Sequence, residues 1–301
     1  MATLLELTQQ VDPGTVADEG KLGRDVQLMT PQQLYELWER QHWASQTVDL
    51  TRDPDDWATL TDAEREESLW TLSSFFVGEE RVATQFSGLV MAYEDEQEEA
   101  FLTTQQVDEA RHMQFFDRWY REVPGYGDES ISGRLELARR DVSDAFLELF
   151  DGVLVDAGKR LIDDPQDVDA KIDYVVTYHL LIEGVLALTG QHFMTDYFEK
   201  RGILPGFVEG FTKISRDEHR HVAYGTWFLQ QKARDERHAK RIQDRLAELL
   251  PITAGVLVPP GKQLGDDYTF MGYTNQEQAE WSFAALTRRL KVIGVGLPVP
   301  V

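Results

Sequence analysis

The 301-residue chain contains no cysteine. Disulfides, thiolate-bound metals and thiol nucleophiles are therefore excluded together. Basic residues are also short: 30 Lys and Arg stand against 53 Asp and Glu, a formal net charge of −23. That balance opposes binding to nucleic-acid phosphates or anionic membranes, which needs clustered cations. It suits a soluble, cytoplasmic protein with much of its acidity on solvated helix faces. The most apolar window, 172-IDYVVTYHLLIEGVLALTG-190, carries Asp173, His179 and Glu183. Three such groups point to a buried helix rather than a membrane span. The opening MATLLELTQQVDPG lacks a basic segment followed by an apolar run, so no signal peptide is expected. Val/Ile alternation bounded by turn dipeptides is scarce, and no sheet is expected.

What the chain has is helical periodicity. Residues 1–30, with Gly14, Gly20 and Gly23, read as an N-terminal arm. A short helix is expected over 31–44, with Leu34, Leu37 and Trp38 at helical spacing, followed by a polar connector, 49-DLTRDPDDW-57. Thr61-Asp-Ala-Glu64 is a capping box that should open a long helix to about Tyr93. After the acidic turn 94-EDEQEE-99, helices are expected at about 97–122, 130–162, from Asp164-Pro165 to about Lys200, from Pro205 to about Arg234, and over 236–257 and 276–292. The fold class is all-α, with helices long enough for a bundle. The bundle is placed at residues 31–260, and 261–301 is read as a C-terminal extension with one helix. No short repeat is present, yet at coarse scale the two halves are alike.

That likeness lies in two stretches, 107-VDEARHMQFF-116 and 216-RDEHRHVAYG-225, each carrying Asp-Glu-x-Arg-His. A spacing of three on a helix puts both side chains on one face. Glu109 can therefore converge with His112, and Glu218 with His221. Upstream of each pair stands one Glu in an apolar helix, Glu79 in 75-FFVGEERV-82 and Glu183 in 181-LIEGVLAL-188. A single Glu on each of two helices and Glu-x-x-His on each of two others is the ligand set of dimetal carboxylate bundles. Two divalent cations neutralise four carboxylates that would otherwise repel inside a core. Oxygen-rich, thiolate-free ligation suits iron and manganese. Glu80 competes with Glu79, but its neighbours suggest the outer face. His219 is read as surface or supporting, and His179 and His192 as satisfied core histidines. Asp108 and Asp217 are either solvated or orient a ligand imidazole.

From about residue 40 to 230 the chain resembles the ligand-binding oxidases related to the small subunit of class I ribonucleotide reductase, which are ferritin-like bundles. The stretches that carry the resemblance are 49-DLTRDPDDWATLTDAER-65, 74-SFFVGEERVAT-84, 107-VDEARHMQFF-116, 177-TYHLLIEGVLALTG-190, 203-ILPG-206 and 217-DEHRHVAYGT-226. The resemblance implies a metal site of Glu79, Glu109, His112, Glu183, Glu218 and His221. It implies one manganese and one iron, a diiron pair being the alternative, with a long-chain fatty acid bridging the ions. It also implies an ether cross-link between Val82, three residues after Glu79, and Tyr178, five before Glu183. Ala187, one turn past Glu183, would leave room for the acyl chain. O2, an electron donor and a homodimeric partner complete the expected set.

On an ideal helix Tyr178 and Glu183 lie roughly 140° apart, so a π-bulge near Gly184 is expected to bring them together. Trp43 resembles the electron-transfer tryptophan of the reductase subunits, with Asp217 and His112 as further links. The connector 94–101 looks shorter than the family's, and Gln191 stands where a tyrosine is expected. Four functions compete. The first is an oxidase with two-electron C–H oxidation. The second is a radical-generating reductase subunit, disfavoured because Phe116 occupies the radical-tyrosine position. A multicomponent hydroxylase component and a ferritin-like storage protein or non-catalytic bundle are the others.

Overall fold

The computed structural model describes residues 26–126 and 130–297. The helices are α1 (Pro31–Gln41), α2 (Asp53–Thr59), α3 (Asp62–Met91), α4 (Glu96–Glu122) and α5 (Ile131–Ala138). They continue with α6 from Asp144 to Asp163, α7 from Val168 to Arg201, α8 (Pro205–Lys232), α9 (Glu236–Val256) and α10 (Asn275–Ile293). The all-α expectation is met, with one correction. Thr269–Phe270 and Tyr273–Thr274 form a two-residue antiparallel ladder, β1 and β2. Gly272 turns it with φ of 79°, and so short a hairpin leaves no alternating pattern to read.

Local chemistry sets the helix ends. The Thr61–Glu64 capping box forms in both directions at the start of α3. Three boundaries differ from expectation. The connector after residue 49 holds α2, whose first turn carries Asp53, Pro54, Asp55 and Asp56, acids that favour a helix N-terminus. The helix expected over 130–162 is two helices, because Ser143 caps a fresh start by accepting from the Phe146 N–H. The helix expected at Asp164-Pro165 starts at Val168, where Asp167 accepts from the Ala170 N–H.

Two helices widen into π-helical stretches, α6 over Glu148–Leu154 and α7 over Val176–Ala187. The second meets the expectation of a bulge near Gly184, and the first had no signature that periodicity could show.

The core is the packing of α3 on α4 and α6, and of α7 on α8, α9 and α10. Helices α3 and α6 approach closely at Gly88, where a Cβ would stand 2.6 Å from the Gly158 carbonyl oxygen. Helix α7 is long and apolar enough to cross a membrane by composition, but 89% of its most apolar window is buried within the protein. It is the central strut of the bundle. Helix α10, in the segment read as an extension, packs against α7 and α8. Residues 1–25 of the expected N-terminal arm lie outside the described residues.

Candidate metal centre

Helices α3, α4, α7 and α8 each aim acidic side chains at one point in the core. Glu79 comes from α3, Glu109 and His112 from α4, Glu183 from α7, and Glu218 and His221 from α8. All six are buried. They fall into two overlapping groups that could each hold an ion: Glu79, Glu109, His112 and Glu218, and Glu109, Glu183, Glu218 and His221. Within each group the donor atoms lie within 4.8 Å of one another. Glu109 and Glu218 belong to both and stand between the two positions. His112 Nδ1 lies 3.5 Å from Glu79, 3.5 Å from Glu109 and 3.3 Å from Glu218. His221 Nδ1 lies 3.1 Å from Glu109, 3.0 Å from Glu183 and 3.7 Å from Glu218. Glu80 is only partly buried, on the outer face as expected.

The donor set fits a pair of cations on a direct observation. His112 Nδ1, Glu183 Oε2 and Glu218 Oε2 are buried without a hydrogen-bond partner, a costly state for polar atoms unless an ion takes their lone pairs. Left to themselves, the six groups balance their charge with protons. Burial would lower the imidazole pKa of His112, but the Glu79 charge and its carboxylate bonds hold it well above the usual range. The same contest, with Glu183 and Glu109 winning, raises His221. Burial pushes Glu79 and Glu183 well up, the neighbouring carboxylates adding to it. Glu109 and Glu218 also feel burial, but the histidines outweigh it and hold both low. Raised imidazoles and raised carboxyls beside lowered carboxylates thus let protons offset the charge of the cluster. Two divalent ions with four carboxylates and neutral imidazoles form a neutral set, so loading exchanges protons for metal.

The whole Asp-Glu-x-Arg-His motif now has a use. Each Asp serves the imidazole of the other half: Asp217 Oδ2 lies 3.3 Å from His112 Nε2, and Asp108 Oδ2 lies 3.1 Å from His221 Nε2. Such bonds fix ring orientation and tautomer at a metal site. The two arginines bridge the same aspartates. Arg111 donates to Asp108 and, at 3.0 Å, to Asp217; Arg220 donates to Asp217 at 2.6 Å and to Asp108 at 3.0 Å. Two positive and two negative charges thus close a buried, neutral layer beneath the ligands. An indole caps each aspartate, Trp43 on Asp217 at 2.6 Å and Trp38 on Asp108 at 2.8 Å. Sequence reasoning missed Arg111, Arg220 and Trp38. The signal for the arginines was present, since Arg recurs at the same offset in both motifs.

Above the ligands lies a cavity of about 110 Å³. Its floor is Glu79, Glu109, Glu183 and Glu218, and its walls include Val82, Tyr178 and Ala187 together with Phe75, Phe146 and Ile182. Tyr178 is buried and donates its hydroxyl proton to Glu109 Oε1 at 2.5 Å. Burial and the carboxylates raise its pKa well above the usual phenol range, so it stays a donor. Gln105, also missed, reaches Tyr178 at 3.3 Å and Glu183 at 3.4 Å.

Among the remaining residues, His179 is a core histidine, bonded to Gln105. His192 is not in the core: it is exposed and stacks on Trp281 at 4.8 Å, because it faces α10 near the surface. His219 bonds the Ser215 carbonyl and is held down to about 4 by burial. Gln191 is buried with neither amide atom partnered. Phe116 is fully buried among Phe75, Phe115 and Phe211.

No family model matches the sequence. Structural comparison does find relatives. The chain is similar to an R2-like ligand-binding oxidase with an aerobically reconstituted Mn/Fe cofactor, at 25% identity, TM-score 0.74, covering 87% of this chain and 92% of that one. A valine-to-isoleucine variant of an R2-like ligand-binding oxidase matches at 24% identity and TM-score 0.75, and a tyrosine-to-phenylalanine variant at 23% and 0.73. Each of these covers 89% of this chain and 94% of that one. Helices and buried carboxylates together define a ferritin-like bundle with a carboxylate–histidine metal site. Its fold is that of the R2-like ligand-binding oxidases, the group the sequence motifs pointed to.

Proposed function

We propose that the protein is an O2-activating oxidase whose six ligands, Glu79, Glu109, His112, Glu183, Glu218 and His221, hold one manganese and one iron. The observation that carries this reading is the shared cavity, in which four carboxylates of the cluster meet Val82, Tyr178 and an otherwise largely apolar wall. When bound, the two ions would supply O2 activation and the oxidising power for a two-electron attack on a C–H bond. The protein's part is positioning. Glu109 and Glu218 tie the two positions together, and the Asp–Arg layer keeps both imidazoles turned inward. The apolar walls keep bulk water from a strongly oxidising site and suit the alkyl chain of a long-chain fatty acid. An acid carboxylate at the floor would add the negative charge that a more oxidised metal pair requires.

Within this reading, Val82 and Tyr178 form an ether. A bond forms between a side-chain carbon of Val82 and the Tyr178 oxygen. One C–H and one O–H bond break, and two protons and two electrons pass to O2, an external electron donor completing its reduction to water. Glu109 is placed to take the phenolic proton. Ala187 leaves room beside Glu183 for the acyl chain. A cytoplasmic homodimer is the assembly this reading implies. Peptide mapping of protein loaded with manganese and iron in air tests it. Joined peptides containing Val82 and Tyr178, lighter by two hydrogens, are expected, with a fatty acid in the organic extract. Unjoined peptides at full metal content would shift the reading to a radical-generating reductase subunit.

A further inference from the structure

Helix α7 carries both Tyr178 and Glu183 to the cavity, and it can do so only by abandoning α-helical hydrogen bonding between Val176 and Ala187. Such a stretch leaves backbone groups mismatched at its end. At that end, the Leu188 N–H donates to the Glu183 and Val185 carbonyls and skips Gly184, the residue four back. The Gly184 carbonyl is therefore free of its α-helical donor. Arg289, from the distant helix α10, donates to it from Nη1 at 2.7 Å.

Two further observations single out this contact. Arg289 is only 3% exposed, and among the described residues no carboxylate pairs with it directly. A buried guanidinium without an ion-pair partner is an expensive way to fill space. The approach also needs the glycine: a Cβ at Gly184 would stand 3.2 Å from Arg289 Nη1 and 2.9 Å from the His179 carbonyl oxygen.

We propose that Arg289 is a positioning residue that locks the π-helical form of α7, and so makes the C-terminal helix a determinant of how Tyr178 and Glu183 face the cavity. Without that donor, the freed carbonyl would be served by a return to α-helical pairing, which turns Tyr178 and Glu183 apart on the helix surface. The consequence for chemistry rests on the proposed oxidase reading; the backbone consequence does not. The segment that is locked also supplies Ile182, Leu186 and Ala187 to the cavity wall, so α10, which lends Gln278 to the same lining, also sets the shape of the ligand chamber through α7.

The test is hydrogen exchange of the full chain, before and after metal loading, in Arg289→Met and Arg289→Lys, with the electron paramagnetic resonance spectrum of bound Mn(II) as second readout. Arg289→Met is expected to speed exchange of the amides of residues 180–188 by about tenfold while α3 and α4 keep their protection. The Mn(II) spectrum should change with it, and Arg289→Lys, which keeps a donor, should restore both. Exchange that rises evenly over the whole chain, or not at all over 180–188, would overturn the proposal. Should Arg289→Met fail to fold, Gly184→Ala decides. It keeps the buried charge but crowds the contact, and the same local signature is expected, its absence being fatal. Local exchange that responds as stated, in a protein that never forms the Val82–Tyr178 ether, would leave the role of Arg289 standing and remove the oxidase reading instead.

Discussion

The two halves of the bundle write the same five-residue motif and surround it differently. In the first half the lone carboxylate, Glu79, sits on α3, an unbroken α-helix that also presents Val82 three residues on. In the second half Glu183 sits on the π-helical part of α7, with Tyr178 five residues before it and every residue of 176–186 buried. The repeated motif makes the shared part of the site: two carboxylates common to both ligand groups, two imidazoles and a neutral layer of aspartates and arginines. The differing helices make the unshared part. Two metal positions built from the same motif are thereby unequal, one beside an aliphatic side chain on a regular helix, the other beside a phenol on a widened one. Inequality of this kind gives a protein the means to treat two ions, or two faces of one ligand, differently.

The comparison breaks most completely where the halves are joined. Replacing both residues common to the two groups, Glu109→Ala with Glu218→Ala, should abolish loading of both positions. Glu79→Ala or Glu183→Ala, touching one position each, should leave about one ion per chain; elemental analysis after gel filtration checks this. Equal loss from all of these variants would mean that the two positions are not separately built.

The next effect in size is pH. His112, His221, Glu79 and Glu183 are all raised, so loading at neutral pH should release protons. Apparent metal affinity should then rise steeply with pH, and a dye in weakly buffered solution should report acidification. Stability of the unloaded chain has the opposite sign. Its raised imidazoles stabilise fully below their unfolded pKa of roughly 6.5, and that contribution is lost as pH rises through the higher folded values. The two raised carboxyls lose stability from roughly pH 4.5 upward, because the unfolded chain ionises first. The melting temperature of the unloaded chain is expected to fall from pH 5 to 9, a trend that metal should remove. A flat profile without metal would deny the proton-balanced cluster.

The smallest effect compares the two supporting aspartates. Asp217→Asn should weaken ion binding chiefly at the His112 position, and Asp108→Asn at the His221 position, each by about 10–100-fold. Competition against a chelator measures it. Each aspartate also receives both arginines, so a change that spreads equally to both positions would show the layer acting as one unit.

Much of this site was legible because its chemistry is written in local spacing. Glu-x-x-His needs only a helix to bring its two groups onto one face, and an acid inside an apolar helix stands out against its neighbours. The capping box of α3 was readable for the same reason, being four consecutive residues that act on one another. The break before Ser143 and the start of α7 at Val168 were not, since competing caps one turn apart differ by little in local energy. Trp38, Gln105 and Arg289 were invisible for a stronger reason. Their partners lie 70, 73 and 105 residues away, and nothing in their own neighbourhood distinguishes them from ordinary packing residues.

The sequence by itself determined that this is a helical protein carrying two acid–imidazole pairs and two lone buried carboxylates, because helical periodicity and charge are properties of short stretches. Only the tertiary structure decided that Glu109 and Glu218 belong to both ligand groups while Glu79 and Glu183 belong to one each, that each aspartate serves the opposite histidine, and that an arginine from the last helix donates to a carbonyl of the π-helical strut. Those outcomes depend on which helix faces meet. They are fixed by burying apolar surface across the whole bundle, a quantity no single segment contains.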